Sequence, residues 1–431
     1  MALTLVVGLF MGLLTAPPAQ AAAKRAKAPV KTTSSPTTIT LRWEAIAGAV
    51  SYRVASATDA KFDTNRRVDA SSGVTFDLTG LQAATAYYVK VRGLNAKGKP
   101  VGPYSMTAKL KTRPLTDLRV GSYNVNCATC TSTSPDFNPW ATRRTLVAAN
   151  ILAADLDVIG VQEATQGQLV VDGKKSGVSQ YEDLVNLLGS PWKVSVKARY
   201  NCVRSTTPTD WDSCVPKDRG ASGGARILYR SDRLTKIAAG SKKLSEASPE
   251  LTDRFLAWAV FEQKSTGKRF FFATTHLEPL KDTGKSRKYY NTRVKQAKEI
   301  VAEIKAKNTD NLPVVMTGDL NSYNWSVPDN GPYKVLIGDG FADPLGNSAR
   351  GQAISPTAKV RLNANFDSFN NYERVARQRV TDNGVYLDYI LTKQATVLEW
   401  QTVVKVDQSG KFTGVIPSDH NLVRATLKLN S

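Results

Sequence analysis

The sequence predicts an all-β sandwich of ordinary domain size followed by a larger α/β domain. Three observations lead there. The 431-residue chain is too long for a single ordinary core. Short runs alternate apolar and polar positions between Thr38 and Thr112, with turn residues separating them. From Leu118 onward, apolar strands alternate with amphipathic helical stretches. Hydrophobic residues make up 42% and charged residues 22%, a globular balance that excludes fibrous and disordered classes.

The first residues differ from the rest. An uncharged apolar run from Leu3 to Leu14 leads through Ala16-Pro17-Pro18 to Ala19-Gln20-Ala21. The run is too short to cross a bilayer comfortably, and the small residues at Ala19 and Ala21 suit cleavage after Ala21. Residues 1–21 are therefore read as a signal peptide, although no positive side chain precedes the run. The mature chain is then secreted. Lys24 to Pro36, rich in Lys, Ala, Ser, Thr and Pro, reads as a flexible basic linker over residues 22–36. Four cysteines suit an oxidising compartment. Cys127 and Cys130 are close in sequence, and so are Cys202 and Cys214; of the three possible pairings, the two local disulfides are expected as loop staples. Neither pair has histidines at zinc-ligand spacing.

In the β part, strands are predicted at Ile39-Leu41-Trp43, Tyr52-Val54, Val74-Phe76-Leu78 and Tyr87-Val89-Val91. Leu41-Arg42-Trp43, the run from Leu81 through Thr85-Ala86-Tyr87, Asn95-Ala96-Lys97-Gly98 and the closing Thr112-Arg113-Pro114 resemble a fibronectin type III domain. The resemblance implies an immunoglobulin-like sandwich over residues 37–114, with Trp43 and Tyr87 in its core. No ionisable group there has a catalytic context, so a spacer or a surface for a cell-surface or polymer ligand is the expectation.

The net charge is +21. Lys24 to Leu115 hold 16 basic and 5 acidic residues, and the rest of the chain 42 and 32, so both parts are basic. Such charge favours polyanionic partners, nucleic acid among them, and by itself does not choose between them.

In the α/β part the informative regularity is what ends each apolar strand. Arg119–Tyr123 runs into Asn124; Val158–Val161 into Gln162-Glu163; Phe270–Ala273 through two threonines into His276. Pro313–Met316 leads to Gly318-Asp319-Leu320-Asn321, Val385–Ile390 carries Asp388, and Pro417-Ser418 precedes Asp419-His420. Strand ends converge on one sheet edge, so these residues are expected to share a cleft. Only two histidines exist, His276 and His420, and both belong to this set. Helices are expected at Arg143–Ala154 and Tyr290–Lys305.

Six motifs carry a family resemblance in order: Ser122-Tyr123-Asn124-Val125, Val161-Gln162-Glu163, Thr275-His276-Leu277, Gly318-Asp319-Leu320-Asn321, Leu387-Asp388-Tyr389-Ile390 and Ser418-Asp419-His420. Residues 116–431 resemble the endonuclease/exonuclease/phosphatase superfamily, the fold of deoxyribonuclease I. The resemblance implies a four-layer α/β sandwich, two packed mixed sheets with outer helices. It also implies hydrolysis of a phosphodiester by water, which needs a cation to neutralise charge, a base and in-line geometry. Glu163 is the expected Mg²⁺ ligand, with Mn²⁺ or Ca²⁺ as substitutes and with Asn124 and Asp419 as ligands or as groups that hold them. His420 is the expected general base and Asp388 its orienting partner. Asp319 and Asn321 position nucleophile and phosphate, and His276 donates to a nonbridging oxygen or protonates the leaving group. A carboxylate partner for His276 is implied but has no position in the sequence.

His276 separates the chain from repair endonucleases, which typically carry tyrosine there. Ala164-Thr165-Gln166 lacks the arginine by which deoxyribonuclease I reaches a minor groove, and Leu387-Asp388-Tyr389 lacks the Asp-Arg pair of inositol phosphatases. The first expectation is a secreted, monomeric nuclease. The second is a sphingomyelinase-like phospholipid phosphodiesterase, for which Tyr323–Tyr333, with Trp325 and Val327, is the candidate membrane loop. A non-catalytic adhesin is the third, disfavoured because every expected catalytic position holds a competent side chain.

Overall fold

The computed structural model describes residues 25–34, 36–171, 173–204, 214–248, 252–347, 353–380 and 383–430. The signal peptide expected at 1–21 lies outside them. The chain divides into two compact units, Met1–Arg113 and Pro114–Ser431.

The first unit is all-β. One antiparallel sheet orders the strands Val30–Ser34, Ile39–Arg42 and Thr75–Leu78; the other orders Arg67–Ser71, Ser51–Ala57, Ala86–Leu94 and Ala108–Lys111. Period-two alternation dictates the packing: Tyr87, Val89 and Val91 point into a core with Ile39, Leu41 and Trp43, while Tyr88, Lys90 and Arg92 face outward. The Tyr87 hydroxyl accepts the Gln82 N–H at 2.9 Å, and Trp43 packs edge-on against Tyr52. One expectation needs correction. Residues 30–34, assigned to a flexible linker, form an edge strand antiparallel to Ile39–Arg42. Their composition shows no apolar alternation because the strand is held by backbone pairing and by the β-branched Val30 and Thr32, which favour extended backbone.

The second unit is a four-layer α/β sandwich. Its larger sheet has the order Trp192–Val194, Arg226–Arg230, Val158–Gln162, Leu118–Asn124, Leu422–Leu429, Ala395–Val403 and Val360–Leu362; the smaller one runs Leu234–Lys243, Phe255–Gln263, Arg269–His276, Val314–Asp319 and Asp388–Lys393. Both are mixed. Leu118–Asn124 is parallel to Val158–Gln162, and Arg269–His276 to Val314–Asp319. Helices Trp140–Ala153 and Gln180–Leu188 cover the larger sheet through Val147, Ile151 and Leu184 against Ile159 and Val161. Lys288–Lys307 and Gly331–Gly338 cover the smaller through Ile300, Ile304 and Leu336. The Gln180–Leu188 helix starts on a capping box, Ser179 and Glu182 exchanging side-chain and backbone hydrogen bonds. Among the described residues no helix is long and apolar enough to cross a membrane.

Where the sheets face one another, Gly160 leaves no room for a side chain. A Cβ there would lie 2.2 Å from Thr274 Oγ1 and 2.3 Å from Thr317 Oγ1. Beside it, buried Gln162 bridges the sheets by donating to Thr274 Oγ1 at 2.9 Å and Ser122 Oγ at 3.3 Å. The strand expected from Val385 begins only at Asp388, because Val385 N–H is captured by the Asp367 carboxylate and Leu387 N–H by Ser368 Oγ.

Candidate active site

Strand polarity brings the predicted residues to one edge of the sandwich. The parallel pairs put Asn124, Gln162-Glu163, His276 and Asp319 at adjacent C-terminal ends. Antiparallel register places Asp388 opposite Asp319, and the turn before Leu422–Leu429 delivers Asp419 and His420 to the same edge.

His420 and Asp388 form the tightest pair, Nδ1 to Oδ2 at 2.7 Å, both buried. Burial alone would depress the imidazole, but the Asp388 carboxylate outweighs it, with Asp319 and Asp419 adding, and holds His420 well above the ordinary histidine range. Phe369 packs edge-on against its ring, 4.9 Å between centroids. The other nitrogen, Nε2, points toward Asp319 Oδ2 at 3.7 Å. Asp388 Oδ1 is buried without a hydrogen-bond partner.

Asn124 clamps the acidic centre. Its Nδ2 donates to Glu163 Oε1 at 3.0 Å and to Asp319 Oδ2 at 3.1 Å, while its Oδ1 accepts from Asn126 N–H. Glu163 also receives the Cys127 N–H at 2.9 Å. Burial raises the proton affinity of Glu163, but His276, the Asn124 amide, His420 and the Cys127 N–H together pull it below the ordinary carboxylate value. Its backbone is in the left-handed region, φ 59°, with Gly224 packed against it; a Cβ on Gly224 would be 3.2 Å from Glu163 Cα. A bulky residue held at positive φ is strained, and such strain gathers at functional sites.

Asp319 is fully buried, and burial followed by the Asp388 charge pushes its carboxyl up to about 7. It accepts the Asn321 N–H at 2.9 Å, and Asn321, itself at φ 47°, donates its amide to Leu277 O. Asp419 accepts from Asn126 Nδ2 at 3.1 Å, and burial raises it as well.

His276 has no carboxylate on Nδ1. Arg254 occupies that position at 3.3 Å, and Nε2 lies 3.5 Å from Asp319 Oδ2. Burial and then the Arg254 guanidinium drive His276 down to about 3, so the ring is neutral at physiological pH. A donor on Nδ1 leaves the proton on Nε2, aimed into the cleft.

Sequence reasoning missed Arg254 and the role of Arg143. Arg254 precedes a strand and belongs to no motif. Arg143, buried in the Trp140–Ala153 helix, donates to the carbonyls of Val125, Asn126, Cys127 and Pro417, tying the loop after Asn124 to the turn before Asp419. A lone arginine on the apolar face of a helix was the signal available. Cys127 and Cys130 are disulfide-bonded, bracing the same loop. Cys202 is also disulfide-bonded and lies on a strand paired with Cys214–Pro216; the Cys214 side chain lies outside the described residues.

Glu163, Arg254 and His276 line a cavity of about 360 Å³, which adjoins a larger groove of about 1240 Å³ through Thr165, Gly224 and Phe255. Asp319, Asp388 and His420 offer ligand atoms close enough to hold one metal ion. Among the described residues neither Glu163, Asp319, Asp388 nor Asp419 is ion-paired with a lysine or arginine. Gathering buried Asp319 and Asp388 with half-buried Glu163 and Asp419 around two histidines leaves excess negative charge, and an oxygen-rich acidic set fits a hard divalent cation.

The sequence model of the Endonuclease/Exonuclease/phosphatase family matches residues 121–420, and the chain belongs to this family, a fold of phosphoester hydrolases. Two solved structures agree in fold. An endonuclease/exonuclease/phosphatase family protein of Bacteroides thetaiotaomicron is 21% identical, with 72% of this chain and 98% of that one covered at a TM-score of 0.52. A mannosyl-6-phosphatase of the same organism is also 21% identical, covering 72% and 99% at 0.50. A search of curated proteins found no match.

Proposed function

We propose that the second unit is a divalent-metal-dependent phosphodiesterase and that its substrate is nucleic acid. The observation that carries the reaction is the buried His420–Asp388 pair facing Asp319 and Glu163. In its neutral form, which positive charge placed on the neighbouring carboxylates favours over the imidazolium, His420 takes the proton of the attacking water on Nε2, and Asp388 fixes the Nδ1–H tautomer and stabilises the imidazolium that results. Asp319 orients that water. Neutral His276 donates Nε2–H to a nonbridging phosphate oxygen, and Asn321 supplies a second, uncharged donor. Held by Glu163, with Asn124 and Asp419 beside it, a Mg²⁺ or Mn²⁺ ion supplies the positive charge that phosphate needs as its negative charge develops.

Nucleic acid is favoured by the charge of the chain. The residues after Leu115 carry 42 basic against 32 acidic side chains, and repeated phosphates reward such a surface through counterion release. The membrane reading rests on the Trp325 loop, where Val327 is 76% exposed; but Arg379 covers Trp325 at 5.0 Å and Tyr333 is buried in the core. We read residues 1–21 as a secretion signal and the first unit as a fibronectin type III-like module, the latter supported by the Tyr87–Gln82 hydrogen bond.

The test compares DNA, RNA, sphingomyelin vesicles and a sugar phosphate with Mg²⁺, beside a Glu163→Ala control that separates intrinsic activity from contaminating nuclease. Nucleic acid should be cleaved fastest, with affinity falling steeply as salt rises. Slow, equal degradation of nucleic acid by both proteins, with lipid hydrolysed only by the wild type, would replace the nuclease reading with the phospholipid one.

A further inference from the structure

The outer face of the four-stranded sheet in the first unit carries cations around a small apolar cluster in which Tyr88 and Tyr104 pack against buried Ala55, Ala57 and Phe62. Outward positions on Ala86–Leu94 are Tyr88, Lys90 and Arg92. Register sets Arg53 directly opposite Arg92, Lys109 opposite Tyr88, and Lys111 opposite Ala86. Five cations from three adjacent strands thus share one face with an aromatic ring among them.

The cations are held in place by rings. The Lys90 ammonium sits 3.7 Å from the Phe62 ring centre and 5.1 Å from that of Tyr104. The Arg92 guanidinium lies 4.9 Å over Tyr104, and Lys109 5.6 Å over Tyr88. Arg92 also donates to Gly102 O at 2.9 Å. No described carboxylate pairs with any of the five. The nearby Asp59 spends its oxygens on the backbone N–H groups of Lys61, Asp63 and Thr64.

Directly opposed like charges on neighbouring strands destabilise a sheet, and no described carboxylate neutralises Arg53 or Arg92, although Tyr104 and Gly102 O hold the Arg92 guanidinium. Burial, followed by the fields of Arg66 and Arg25, lowers the proton affinity of Lys90.

We propose that this face binds a single strand of nucleic acid, with Arg53, Lys90, Arg92, Lys109 and Lys111 on its phosphates and the half-exposed Tyr88 ring against a base, while Tyr104 holds Lys90 and Arg92 in place. Charge complementarity selects a polyanion. The exposed part of the Tyr88 ring among the cations selects one that carries flat bases, the combination that defines single-strand binding surfaces. Tyr88, Lys90 and Arg92 recur every second residue, about 6.6 Å apart, so the strand can follow the sheet residue by residue. The proposal goes beyond the nuclease reading and stands apart from it, because binding is measured with hydrolysis blocked.

The experiment uses the full chain in chelator, with a fluorescent single-stranded oligothymidylate and inorganic polyphosphate as probes. Arg53, Lys109 and Lys111 are exposed, so the variant R53Q/K109Q/K111Q keeps the fold, and thermal unfolding checks this. Each phosphate contact contributes about 0.7 to the salt slope for single strands, so the triple variant should lower that slope by about two. Tyr88→Leu should weaken the oligonucleotide about fivefold or more while leaving polyphosphate unchanged, since stacking acts only on bases. An unchanged salt slope in the triple variant overturns the surface. Equal loss of both probes, or an unaltered oligonucleotide affinity in Tyr88→Leu, overturns the nucleic-acid assignment in favour of a plain polyanion surface. Neither result bears on the active site, which is followed separately with Mg²⁺ and a small diester.

Discussion

Asp388→Asn removes one charge and almost no volume, which makes it a sharp test of the His420 assignment. In the wild type, Asp388 Oδ2 accepts the Nδ1 proton at 2.7 Å, so Nε2 is the atom free to take a proton from water. Asparagine has two ways to meet the ring. If its nitrogen faces Nδ1, the ring carries its proton on Nε2 and is blocked as a base. If its oxygen does, the tautomer survives but the charge that stabilises the imidazolium is gone. Loss of a general base costs about 10²–10⁴ in rate, roughly 3–5 kcal/mol at about 1.36 kcal/mol per decade. Stability should not fall in step, because Asp388 Oδ1 is buried without a partner and neutralising the group relieves part of its desolvation cost. The assay is kcat/KM on an oligonucleotide with Mg²⁺, beside thermal unfolding of the same preparations. The double variant with His420→Ala should lose little more than His420→Ala alone, since the two residues act as one unit. Activity of Asp388→Asn within about threefold of wild type, or fully additive losses in the double variant, refutes the pairing as a catalytic one.

Exhaustive chelation should abolish turnover and Mg²⁺ or Mn²⁺ restore it; full activity in the chelated protein would remove the cation from the mechanism. Arg254→Met should free the His276 ring and lower kcat by about one to two decades with little change in unfolding temperature, read by steady-state kinetics. Arg143→Met takes the guanidinium from the Val125 carbonyl, at about 1–3 kcal/mol for a buried group left unsatisfied, while Asn126 O keeps Gln180 and Cys127 O keeps the Cys130 N–H, and should weaken activation by Mg²⁺ in a titration. Gly160→Ala forces a methyl to within 2.2 Å of Thr274 Oγ1 and should cost about 3 kcal/mol, measured by denaturant unfolding.

The strand-end residues were legible because each follows its own apolar run, so local sequence states both the strand and what ends it. That they share one cleft was expected from the convergence of strand ends on one sheet edge, whereas the strand order and polarity that bring it about are not written in the periodicity. Arg254 was invisible for the same reason. Its role arises from the register that sets Leu256 opposite Thr275 and so brings Arg254, two residues earlier, beside His276. The strained backbone of Glu163 was unreadable too, since a glutamate after a buried strand gives no sign that its φ is positive. Strand Val30–Ser34 was missed because its pairing is carried by backbone atoms, and the start at Asp388 because side chains of Asp367 and Ser368 compete for the preceding N–H groups.

His420 enters from the strand Leu422–Leu429 of the larger sheet, whereas Asp388 opens an edge strand of the smaller one. The bond between them therefore spans the two halves of the sandwich, and Ser368 stitches it from both sides, its hydroxyl accepting the Asp388 N–H and its carbonyl the Asn421 N–H. Neither sheet alone contains a working dyad. On the proposed mechanism, a partly unfolded form that keeps one sheet intact and loosens the other is expected to lose turnover, so inactivation should track the separation of the sheets. The enzyme is then its own gauge of assembly, active only while both halves remain in contact.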